Sequence, residues 1–275
     1  LMELPQDKPV LVQSDWTNST RGESAGQLEA LLRILMRRNI KFVLYSGADP
    51  QAPQVARNVM TRMNEERAAA GLPRYEKWND WLDLGYFPNL EGFANALAID
   101  VKRAFGGRKA QVPGGGGEQD VFRSPVLANV NKIGDVSLLV NIHASGTIDV
   151  LIERLFRKVP LASMCTGVMG PQAMPYYQSS PRQIVGLSVG LKGVYDLETM
   201  MEYGVRGSRV PATPGGRKLV SRNFPEVSLE GFKGMKNFDR AGSYYPTLHV
   251  ALTLMILAVV AGNVGMVLSR RGGGK

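Results

Sequence analysis

Cysteine and histidine are almost missing from this 275-residue chain. Cys165 stands alone, and His143 and His249 are the two histidines. One thiol excludes an intrachain disulfide. One thiol with two imidazoles leaves no zinc cluster unless carboxylates serve as ligands, and no metal is expected. The chain also lacks GxGxxG and GxxxxGK[ST], the phosphate-cradling signatures of dinucleotide and P-loop sites. No cofactor is expected on that basis. Charge of either sign is missing from one long stretch, Leu248 to Leu268 (LHVALTLMILAVVAGNVGMVL).

That uncharged stretch is the most informative segment. About 20 helical residues cross the hydrocarbon core of a bilayer. Tyr244, Tyr245 and Pro246 precede it, and Arg270 and Arg271 follow it. Aromatic rings and arginines at opposite borders suit the two membrane interfaces. The sequence therefore predicts a cell-membrane protein, with the bacterial inner membrane as the expected location. Within the span, Ala258 and Gly262 are four apart, as are Ala261 and Gly265. Small residues at this spacing let two helices approach closely, which points to association with itself or another membrane subunit.

The rest of the chain reads as α/β. KPVLVQSDW (8–16), KFVLY (41–45), VSLLVNI (136–142), residues 159–164 and residues 184–190 are apolar runs of strand length. Helical spacing of apolar residues fills 24–38, 50–70, 90–105, 148–156 and 197–203. Strands alternating with helices predict a doubly wound, mostly parallel sheet with helices on both faces. Residues 72–88 and 106–119 read as irregular, the latter around the glycine run 114–117. The expected organisation is a Rossmann-like domain over 1–204, a Gly-, Pro- and Arg-rich connector over 205–247, the transmembrane helix 248–268 and a short basic tail 269–275.

The phrases DLGYFPNLEGF (83–93), SPVLANV (124–130), VPLASMCTGVMGPQAMPYYQS (159–179) and QIVGLSVGLKGVYDLE (183–198), in that order, resemble an uncharacterised family of bacterial and archaeal membrane-anchored α/β proteins. The resemblance covers roughly residues 8–203. It implies a further transmembrane helix upstream of Leu1, hence a two-pass rather than a single-pass anchor. It implies topology and no catalytic residues. With both chain ends on one side and Arg270 and Arg271 inside, the domain is expected to be extracytoplasmic.

Ligands of open α/β sheets bind beyond the carboxyl ends of the strands. The polar residues expected there are Asp15, Asp49, His143, Ser145, Thr147, Thr166 and Lys192. Ser145-Gly146-Thr147 precedes a helix, where free amides favour an anion. His143 titrates near neutrality. Equally, Ser, Thr, Asp and Gly are ordinary caps and turn formers at such junctions. Cys165 as a nucleophile, or a Ser-His-Asp set drawn from Ser14 or Ser145, His143 and Asp15, is formally available but not expected.

Lysine and arginine outnumber acids by nine over the whole chain. From Glu202 to Thr247 eight basic residues face four acids, a surplus suited to anionic lipid headgroups. A nucleic-acid partner is not expected. The two functional expectations are a membrane-anchored binding or scaffolding subunit of an oligomeric assembly, or an enzyme or small polar-ligand receptor working at the strand ends.

Overall fold

The computed structural model describes residues 1, 4–203 and 241–272. Strand β1 (Val10–Asp15) leads into helix α1 (Arg21–Arg37), β2 (Phe42–Ser46) into α2 (Ala52–Ala69), and β3 (Trp81–Tyr86) into α3 (Leu90–Ile99) and α4 (Val101–Ala104). A hairpin of β4 (Lys109–Gln111) and β5 (Glu118–Asp120) follows. Then come β6 (Leu138–His143), α5 (Thr147–Leu155), β7 (Leu161–Cys165), α6 (Gly170–Gln178), β8 (Gly186–Val189) and α7 (Gly190–Tyr203). Helix α8 (Ala241–Gly272) ends the described chain.

Six strands form one parallel sheet in the order β3-β2-β1-β6-β7-β8. The chain steps outward from β1 to β3, returns to the centre, and steps outward the other way from β6 to β8. The reversal falls between β1 and β6, the position at which open sheets present a crevice. Every residue of β1, β2 and β6 is buried, because helices cover both faces and no strand position meets water.

Period-two alternation sorts these strand residues onto two cores. Val10, Val12, Leu44, Leu138 and Val140 pack with Leu28, Leu31 and Leu35 of α1 and with Val55 and Val59 of α2. Leu11, Val43, Leu139 and Leu161 pack on the other face with Phe93 and Leu97 of α3 and Ile148 and Leu151 of α5.

The sheet agrees with the α/β expectation, and four local readings change. Residues 72–88 contain the edge strand β3, whose Asp83 and Gly85 interrupt the apolar run. Asp83 accepts from Gly85 N at 3.0 Å and pairs with Arg57 of α2 at 2.8 Å. The helix expected over 90–105 breaks at Asp100. There the backbone is extended (φ −152°, ψ 108°) and the carboxylate caps Arg103 N at 3.1 Å. The glycine run is the tip of the β4–β5 hairpin, with Gly114, Gly115 and Gly117 at positive φ, a conformation that a side chain disfavours. Finally, α6 lies in a stretch read as having no element, and α7 begins seven residues earlier than 197.

Within α8, Pro246–Arg270 is long and apolar enough to cross a membrane, and all of its side chains are exposed. An uncovered apolar surface of this length has no stable place in water. The expected span 248–268 lies inside it. Most of the expected connector 205–247, and Gly273–Lys275 of the basic tail, fall outside the described residues.

Candidate functional site

The site is built from polar residues set into the central strands on the α3/α5 face. In β1 these are Gln13 and Asp15, in β6 Asn141 and His143, and in β7 Ser163 and Cys165. Strand register aligns them in two rows, Gln13–Asn141–Ser163 and Asp15–His143–Cys165. Each of the six is at most 4% exposed. A buried polar layer is tolerated only when it is hydrogen-bonded, and this one largely is.

Asp15 lies at the centre. Its Oδ1 accepts from Ser46 Oγ at 3.0 Å, Gly47 N at 2.9 Å and Ala48 N at 3.2 Å. Its Oδ2 accepts from Asn141 Nδ2 at 2.9 Å and from Gln13 Nε2. Five donors fill the roughly four lone-pair positions of a carboxylate. Thr147 Oγ1 donates to Asn141 Oδ1 at 2.9 Å, so the chain Thr147–Asn141–Asp15 links the start of α5 to β6 and β1.

His143 is held at both ring nitrogens. Nδ1 donates to the Ser145 carbonyl at 2.5 Å, and a carbonyl only accepts, which fixes the proton on Nδ1. Nε2 then accepts from Ser163 Oγ at 2.8 Å. Burial lowers the His143 pKa from its ordinary value, against smaller upward pulls from the Ser145 carbonyl and the Asp15 charge. A serine bonded to a histidine is the first half of an activated nucleophile. Here both residues are sealed in the sheet (0% and 1% exposed), and no carboxylate bonds the imidazole. The pair ties β6 to β7.

Asp49 caps the turn before α2, its Oδ1 accepting from Gln51 N at 2.7 Å. Ser145 contributes its backbone carbonyl. Thr166 is buried beyond β7, and its hydroxyl has no hydrogen-bond partner. Lys192 is exposed on α7 and pairs with Asp196 one turn on. Asp15, His143, Ser145 and Thr147 are thus brought together, Thr166 joins them only through its N–H, which donates to the His143 carbonyl at 3.2 Å, and the side chains of Asp49 and Lys192 lie apart. Cys165 is fully buried, and burial pushes its thiol up to about 11, far from the depressed value of a reactive cysteine. Ala258, Ala261, Gly262 and Gly265 all lie on α8, and a Cβ built on either glycine meets nothing within 4 Å.

Sequence reading passed over Gln13, Asn141 and Ser163. Their signal was present: each is a polar residue inside an otherwise apolar strand, two positions before Asp15, His143 or Cys165. It also passed over Glu23, whose carboxylate accepts from Gly167 N at 2.6 Å and joins the start of α1 to the end of β7. A further motif, GLSVG at 186–190, matches GxSxG. Its Ser188 sits within β8 rather than on the turn into α7, and its hydroxyl bonds no histidine, so it is not a nucleophile elbow. Among the described residues no group of three His, Cys, Asp or Glu is placed to hold a metal ion. Comparison with known proteins gives no matching family model, no matching curated relative and no matching solved structure.

Proposed function

We propose that this chain is a membrane-anchored binding or scaffolding subunit of an oligomeric membrane assembly. One observation carries the reading: the polar side chains at the chain reversal bond one another, and Asp15 accepts five hydrogen bonds from within the protein. A domain whose polar residues at the customary ligand position are bonded to one another acts through its surface. The apolar helix supplies the anchor, and the pairs Ala258/Gly262 and Ala261/Gly265 supply a face for close helix contact. Partners are then the bilayer, further copies or other membrane subunits, and anionic headgroups beside the basic connector. The domain is extracytoplasmic in this reading, with Arg270 and Arg271 on the cytoplasmic side.

The test is the mass of the full chain in mild detergent, measured by light scattering. The wild type is expected as an oligomer, and Gly262→Leu as a smaller particle. An unchanged mass overturns the helix-mediated assembly. Protease added to intact cells is expected to cut the domain; cutting only after lysis reverses the sidedness.

A second reading, a receptor for a small polar ligand, draws on the other face of the sheet. The hydroxyls of Ser14, Ser24 and Thr166 are buried there without hydrogen-bond partners, which is costly unless something satisfies them. A rise in melting temperature with added inorganic phosphate would favour it.

A further inference from the structure

A cavity opens on the α1/α7 face of the sheet over β6, β7 and β8, on the side opposite the polar belt, with Ser163 the one belt residue among those that line it. Its volume is about 370 Å³, within the range of small-molecule sites. Leu31 and Ile34 of α1 and Leu197 of α7 form one wall. The floor is the sheet itself, and there the residues are small: Ala162, Gly186 and Ser188. Larger residues at these positions would fill the space that the helices leave. A Cβ built on Gly186 meets only the Ala162 methyl, at 3.7 Å.

Among the described residues, none that lines the cavity carries a charged side chain. Val185, 56% exposed at the start of β8, is part of the lining and places apolar surface at the mouth. Ser188 is 8% exposed and its hydroxyl has no hydrogen-bond partner. With no histidine bonded to that hydroxyl, the cavity is equipped to bind rather than to cleave.

We infer that this cavity takes the hydrocarbon chain of a lipid or fatty acid. Three observations converge on that occupant. The described lining is mostly apolar and carries no charged side chain, the volume suits a small chain-like molecule rather than a folded segment, and the same polypeptide carries a helix long and apolar enough to span a membrane, which would keep the domain near a reservoir of acyl chains. Helix α7 starts directly at the end of β8, at Gly190 (φ +55°), and runs back along the sheet.

The experiment uses the full chain in lipid nanodiscs and a long-chain fatty acid bearing a diazirine near its tail. After illumination, labelled peptides are mapped by mass spectrometry. Label is expected on peptides carrying residues 28–34, 160–164 or 186–197. Ala162→Phe and Gly186→Leu, which fill the cavity, are each expected to lower that label about tenfold or more, a loss equivalent to about 1.4 kcal/mol of binding. Folding of each variant is checked by the slow reaction of buried Cys165 with a thiol reagent. Label confined to 246–270, or cavity label unchanged in folded filled variants, overturns the inference. So does chemical crosslinking that joins the cavity to a second copy or to residues 204–240, since the site would then belong to protein. None of these outcomes depends on the oligomer mass that tests the assembly.

Discussion

Asn141 donates its Nδ2 hydrogen to Asp15 Oδ2 at 2.9 Å across the two strands between which the chain order reverses. The bond links the halves of the sheet at the place where an α/β enzyme would leave an opening. Asp15→Ala leaves five donors without their acceptor, two of them backbone amides of the β2–α2 turn. Removing one partner of such a buried charged network costs about 3–5 kcal/mol. Asn141→Ala removes one donor to Asp15 and the acceptor of the Thr147 hydroxyl, and is expected to cost about 1–3 kcal/mol. Denaturant unfolding of the full chain, followed through Trp16 fluorescence, measures both. Near-equal small losses would show that the belt is not the central tie.

His143 makes stability depend on pH. Burial lowers its folded-state pKa below 6.5, the value it takes when unfolded. Between those two values the unfolded chain binds a proton that the folded chain does not, so this group's contribution falls as pH drops through that window and is level above it. His143→Gln is expected to be less stable than wild type at neutral pH but to lose less on acidification below pH 6.5. Parallel curves for the two proteins would place the pH dependence elsewhere.

How much of this was legible in the residues depends on the kind of signal. Strands that open on apolar runs, such as VLVQSD and LLVNIH, flanked by helical spacing, carry their own fold class. The edge strand WLDLGY was harder. It is half covered, and Asp83 and Gly85 sit in it for reasons of pairing and turning rather than burial. The break at Asp100 was invisible because an N-cap inside an apolar repeat leaves the repeat intact. The polar belt was half legible. Asp15 and His143 stand at strand ends, where ligands are sought, but the residues that satisfy them, Gln13, Asn141 and Ser163, come together only through the β1–β6–β7 register. No single strand encodes that meeting.

Cys165 reports on global opening. Its thiol is buried and raised to about 11, so on the order of one molecule in a thousand is thiolate at pH 8 even before access is considered. A denatured thiol near 8.5 is about a quarter ionised at pH 8, so alkylation of the folded chain is expected to be slower by at least about two-hundredfold. Asp15→Ala is expected to speed it in proportion to the loss of stability. Prompt alkylation of the folded wild type would contradict the burial.

Two glycines separate close packing from simple helix preference. A Cβ on Gly193 would lie 2.3 Å from Ser188 Oγ and 2.9 Å from the Ser188 backbone carbon, so Gly193→Ala must lift α7 from β8. Overpacking of this kind costs about 1–3 kcal/mol. Gly22, at the start of α1, has nothing within 4 Å of its built Cβ and no positive φ. Gly22→Ala therefore gains helix propensity without a clash, about 0.5–1 kcal/mol. Because α7 also walls the apolar cavity through Leu197, Gly193→Ala is expected to change fatty-acid labelling there, while Gly22→Ala leaves it as it was. Opposite signs in the unfolding midpoints of these two variants are the outcome that the packing of α7 on β8 requires.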